Sequence, residues 1–146
     1  MSVDAREYLM GVKRTMASLR RREDELVRIT SMTHSVTQNV EPRESCRVPL
    51  VGDRTSDRIV ALMTAKDDYQ KALDEALSVR SECLAYLEEL EDERYADVLH
   101  KRYLMGMGWQ DIADDMGYTY HHVHKLHSEA IDRLQEVLDK DKEMDK

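Results

Sequence analysis

The chain has 146 residues, of which 36% are charged and 5% aromatic, with no Phe and a net charge of −8. Such a composition holds one domain, or one small domain plus an extended piece, and excludes a thick globular core. Five Gly and two Pro favour long helices over strands, and no apolar run approaches the ~20 residues that a membrane helix needs.

The N-terminal run MSVDAREYLMGVKRT lacks the apolar stretch of a signal peptide. Cys46 and Cys83 match no metal spacing and, as free thiols, suit a reducing cytoplasm. Residues 3–33 read as one long helix. Ala5, Leu9, Val12, Met16, Leu19, Leu26 and Thr33 fall on alternating steps of four and three, and Glu23 and Thr30 weaken the same stripe. This is a heptad-like seam, narrower than the face of a globular helix. Lys13, Arg14, Arg20, Arg21, Arg22 and Arg28 decorate the other sides. Residues 34–55 hold both prolines and show no sustained period, which predicts a mobile loop between two helices.

A second long helix is predicted from Ser56 as N-cap, with Asp57 at its positive end, to about Asp92. Its seam is Ile59, Leu62, Tyr69, Leu73, Ala76, Cys83, Leu87 and Leu90, interrupted by Lys66 and Arg80. Residues 1–55 hold ten Lys or Arg against eight acids, residues 56–93 four against eleven, and residues 94–146 eight against eleven. A basic first helix and an acidic second one suit antiparallel pairing, within one chain or between chains. Exposed ion pairs contribute only ~0.2–1 kcal/mol each and set register. The apolar seams carry the energy, at ~1.5–3 kcal/mol per buried Leu or Ile. Two helices make a thin structure, so a homodimer or higher homo-oligomer is expected. The fold class is therefore all-α: a long helical hairpin over 1–92, a C-terminal helical domain over 93–140 and a charged tail over 141–146.

The C-terminal domain carries three helical patterns. Tyr95, Val98, Leu99 and Tyr103 mark the first, ended by Gly106 and Gly108. Trp109, Ile112, Ala113 and Met116 form one face of a short second helix. Gly117 and Tyr118 make a tight turn, Thr119 caps the third helix, and Val123, Leu126, Ala130, Ile131, Leu134 and Leu138 form its buried side. A short helix, a Gly-containing turn and a longer capped helix are the pattern of a helix-turn-helix. Its second helix normally enters the DNA major groove N-terminus first. The exposed residues there are Tyr120, His121, His122, His124 and Lys125.

The run Val98-Leu99-His100-Lys101-Arg102-Tyr103, then Trp109, Ile112-Ala113 and Thr119 with Val123, Ala130 and Leu134, resembles region four of bacterial sigma factors. The arrangement of helical N-terminal part and sigma-like C-terminal part also resembles the RinA and ArpU late-transcription activators of Gram-positive phages. The resemblance implies a phage-type transcriptional regulator in the cytoplasm of a bacterial host, reading double-stranded promoter DNA beside host RNA polymerase. Thr119 would serve as cap, Tyr120, His121, His124 and Lys125 would contact base edges, and Arg102, Gln110 and His122 would contact phosphates. Histidine ordinarily titrates near ~6.5, so binding is expected to strengthen as pH falls. Trp109 is expected to pack on the third helix.

The acidic balance opposes the basic footprint usual for DNA binders. Asp114, Asp115 and Glu129 also weaken the field of Lys101, Arg102, Lys125 and Arg133. Two alternatives follow: a small-terminase-like packaging subunit, or a protein-interaction module that does not touch DNA. His121/His124 and His124/His127 are three apart, whereas a helical metal pair is four apart, so neither metal nor cofactor is expected. No phosphate-binding Gly loop and no nucleophile in a recognisable setting points to an enzyme.

Overall fold

A computed structural model describes residues 3–38 and 51–144. The fold is all-helical, with no strand among the described residues. Helix α1 spans Ala5–Gln38, α2 Val51–Glu88, α3 Glu93–Leu99, α4 Trp109–Met116 and α5 Tyr120–Met144. A five-residue π-helical turn, His100–Leu104, continues α3. Among the described residues, no helix is long and apolar enough to cross a membrane.

Several predicted boundaries move. The structure carries α1 on to Gln38 and starts α2 at Val51, so helix enters both ends of the segment read as loop; residues 39–50 lie outside the described residues. Ser56 sits inside α2 and cannot cap it. A Ser-Asp pair is an equally acceptable exposed interior step, which is why the cap signal misleads. Helix α2 stops at Glu88, where Glu89 N–H and Leu90 N–H bond the carbonyls three residues back, tightening the last turn. Asp92 then caps the next helix: its backbone is extended and its carboxylate accepts the Arg94 N–H at 2.9 Å. The tail read at 141–146 is helical as far as Met144.

The chain forms two compact units, cut within the two long helices rather than at the junction of 92 and 93. The first comprises residues 1–17 and 75–146. Leu9 and Val12 of α1, Cys83 and Leu87 of α2, Val98, Leu99, Ile112, Val123 and Leu134 are among its buried side chains. The start of α1 belongs here because α5 holds it. Gln135 accepts the Ala5 N–H at 2.8 Å and donates to the Val3 carbonyl at 3.0 Å, while Asp4 accepts the Arg6 N–H at 3.1 Å. Those bonds satisfy backbone groups left over at a helix start. Tyr8 meets Tyr86 edge to face, and Tyr86 donates to Asp141 at 2.9 Å.

The second unit is residues 18–74. Here Arg22 of α1 pairs with Asp68 of α2 at 3.7 Å. Ser18, Arg21, Arg22, Glu25 and Ile29 line one side of an open groove of about 630 Å³, and Ala61, Thr64, Ala65 and Asp68 line the other. Ile59, read as a seam residue, is 49% exposed. The small residues Ala61 and Ala65 take the groove face, and Ile59 falls on the far side of the same helix.

Candidate nucleic-acid interface

The three-helix pattern of the C-terminal part is present from Glu93 onwards. The π-helical turn has a Met105 N–H to His100 carbonyl bond of 3.0 Å, one residue longer than an α-helical step. It brings Tyr103 and Leu104 into the core together. Gly106 then takes a left-handed φ of 72°, ending this segment. Gly108 has an ordinary φ of −72° and stands as N-cap of α4, so it begins a helix rather than ending one.

Helix α4 buries Ile112 and Ala113 and ends at Gly117, whose φ of 72° is the left-handed C-cap conformation. Two residues later Thr119 Oγ1 accepts the His122 N–H at 3.1 Å. The cap thus lies where the sequence places it, and α5 buries Val123, Leu126, Ala130, Ile131, Leu134 and Leu138 as expected, together with Val137 and His127.

The first turns of α5 form the candidate surface. Tyr120, His121 and Lys125 are exposed, and His122 and His124 are half-buried. Trp109 packs on α5, 4.4 Å from the His124 ring and 4.7 Å from the His127 ring between centroids. The Arg102 guanidinium lies 4.3 Å above the indole, a cation–π arrangement. Tyr120 lies against His124, tilted at 56°, with 4.5 Å between ring centroids. Arg102, Trp109, His124 and Tyr120 therefore form one continuous chain of contacts, drawn from the π-turn, α4 and α5. His122 stands apart from it, against Tyr118 at 4.6 Å. Nε2 of His122 and of His124 is buried without a hydrogen-bond partner.

Several polar groups here are engaged within the protein. Arg102 donates to the Met107 carbonyl at 3.1 Å, and Gln110 donates to Asp114 at 3.0 Å. Lys101 pairs with Asp115 at 2.7 Å and Arg133 with Glu136 at 3.3 Å. Hydroxyl, ring nitrogen and ammonium donors remain on Tyr120, His121 and Lys125. No group of three or more His, Cys, Asp or Glu placed to hold a metal occurs among the described residues.

His127, weighed in the sequence only for metal spacing, differs from the surface histidines of the same helix. It is buried, and its Nε2 shares a 2.7 Å hydrogen bond with the Tyr103 hydroxyl. Burial, then the charges of Arg6, His124 and Arg102, push its pKa down to about 4. The signal was available: His127 lies four after Val123 and four before Ile131, within the apolar stripe. Tyr103 and Tyr118 were likewise missed as the partners of His127 and His122.

No curated protein and no solved structure matches this chain. A family model described as "Protein of unknown function (DUF1492)" matches residues 51–135, more than half the chain and all of the surface from α3 through the first turns of α5. By that match the chain belongs to the DUF1492 family.

Proposed function

We propose that the protein is a phage-type DNA-binding transcriptional regulator. In this proposal α4, the Gly117 turn and α5 act as a sigma-region-four-like helix-turn-helix that reads promoter DNA beside RNA polymerase. Residues 18–38 and 51–74 form an antiparallel hairpin, and a dimer presents two reading helices to paired half-sites. The observation that carries it is the capped turn: left-handed Gly117, the Thr119 cap at 3.1 Å, and Tyr120, His121 and Lys125 exposed on the helix that follows. Arg102 and Gln110, tied to Met107 and Asp114, keep only part of their donor capacity for phosphate.

The test is binding to a labelled pool of DNA from the protein's own genomic neighbourhood, at low and physiological salt. Wild type is compared with a His121→Ala/Lys125→Ala variant. Selective binding that survives moderate salt and weakens about 10–100-fold in the variant supports base readout by α5. Absent binding, or binding lost to salt equally in both proteins, rejects it.

A second reading is a protein-interaction module that binds polymerase or another regulator without touching DNA. The pairing of Lys101 with Asp115 and of Arg133 with Glu136 favours it, since both withdraw positive charge from the surface. Co-purification with polymerase in the absence of DNA binding is its expected outcome.

A further inference from the structure

We propose that residues 18–38 and 51–74 form the self-association surface of the protein, and that its partner is a second copy of the same segment in a closed two-fold pair. This deepens the dimer invoked above by naming where it forms.

Three observations converge on this unit. The first is burial. Along the described side chains from Ser18 to Asp74, Ala65 is the only one that is buried, although α1 and α2 run through the segment as long helices. A helix held in a folded protein normally owes most of its stability to an apolar face packed on a neighbour. Here Val27, Ile59, Val60 and Met63 are instead 49–61% exposed.

The second is charge. Residues 18–74 hold ten Lys or Arg and ten Asp or Glu, a net of zero, so the other unit carries the whole −8. Two copies of the acidic unit repel each other, whereas two copies of the neutral unit approach without that cost. Residues 18–74 are the part of the chain through which like molecules meet most readily.

The third is the groove. Its α2 side carries the small residues Ala61, Thr64 and Ala65, and Arg21 and Arg22 line it together with Glu25 and Asp68. A two-fold contact sets a patch against its own copy, so a charged patch is self-complementary when it contains both signs. A partner of a single charge sign would leave one set of these charged residues unmatched. The Arg22 and Asp68 side chains are still 52% and 41% exposed when paired with each other, leaving both accessible to a second molecule. Two helical pairs packed in this way make a four-helix bundle with a shared core.

The experiment is sedimentation velocity on the full chain without DNA, over a dilution series. The expected result is a species of twice 17.1 kDa that dissociates on dilution. Ala61→Glu/Thr64→Glu places charge on side chains of the groove that are exposed in the single chain and is expected to raise the dissociation constant at least about tenfold. Two further variants test the charge pattern. Arg21→Glu/Arg22→Glu makes the groove acidic, and Glu25→Lys/Asp68→Lys makes it basic. Each alone is expected to sediment as monomer, and their equimolar mixture as dimer. Unchanged far-ultraviolet circular dichroism, helical content included, shows that the variants fold.

A wild-type chain that is monomeric throughout, a ring larger than two, or a dimer indifferent to all these changes overturns the proposal. DNA plays no part in the measurement. Failure here leaves the reading of α5 standing, and failure of DNA binding leaves this surface standing.

Discussion

His127 couples the stability of the core to pH. Its folded pKa of about 4 lies below the ordinary histidine value of 6.5, so between those pH values the unfolded chain binds more protons than the folded one. Stability is therefore fully present above pH 6.5 and is lost as pH falls towards 4, by up to about 3 kcal/mol from this residue. Urea denaturation at pH 7, 5 and 4 is expected to show that slope. His127→Phe is less stable at pH 7, because the buried Tyr103 hydroxyl loses its partner, and its deficit relative to wild type shrinks on acidification. A deficit that stays constant with pH would reject the assignment. Trp109 is the second decisive residue. Trp109→Ala removes the platform shared by Arg102, His124 and His127 and is expected to cost about 3 kcal/mol, at the low end for a large aromatic because the ring is half-buried.

At the scale of elements, the turn between α4 and α5 divides into two separable contributions. An added Cβ at Gly117 meets nothing within 4 Å, so Gly117→Ala carries only the left-handed backbone penalty of about 1–2 kcal/mol. Thr119→Ala removes the cap to His122 and costs about 1 kcal/mol, while Thr119→Ser retains it. Thermal melting of the three variants checks both figures; a Thr119→Ser variant as unstable as Thr119→Ala would show that the hydroxyl is not the cap.

This turn was also the most legible part of the sequence. Gly117, Thr119 and the stripe from Val123 to Leu138 are local signals, each met within a few residues. The groove face of α2 was not legible. Ile59 and Leu62 announce a seam by hydrophobicity, yet Ala61 and Ala65 line the groove with Thr64 because small residues permit close approach. The π-turn was hidden for a different reason: a one-residue register shift depends on how Tyr103 and Leu104 pack, and no local residue type marks it. His127 was left out of the buried stripe because its residue type outweighed its spacing.

At the scale of the molecule, charge governs how DNA would be met. Asp115 and Glu136 already occupy Lys101 and Arg133, and the net charge is −8. Binding is therefore expected to release few counterions, with log K falling against log salt at a slope of about −1 to −3, against about −10 for a strongly basic reader. A titration across salt concentrations measures that slope. Asp115→Asn/Glu136→Gln frees both cations and is expected to steepen it and to raise non-specific affinity. An unchanged slope would mean that neither cation faces DNA.

That Ala65 is the single buried side chain among those described between Ser18 and Asp74 also sets a clock. Amide hydrogens in a segment with so little packing open at low free energy, and exchange with solvent well ahead of those in α5, where Val123, Leu134 and their neighbours are sealed. Association adds protection by mass action. Dilution should therefore quicken deuterium uptake across residues 18–38 and 51–74 while the rate along α5 holds steady, and a single peptide map would register both behaviours at once.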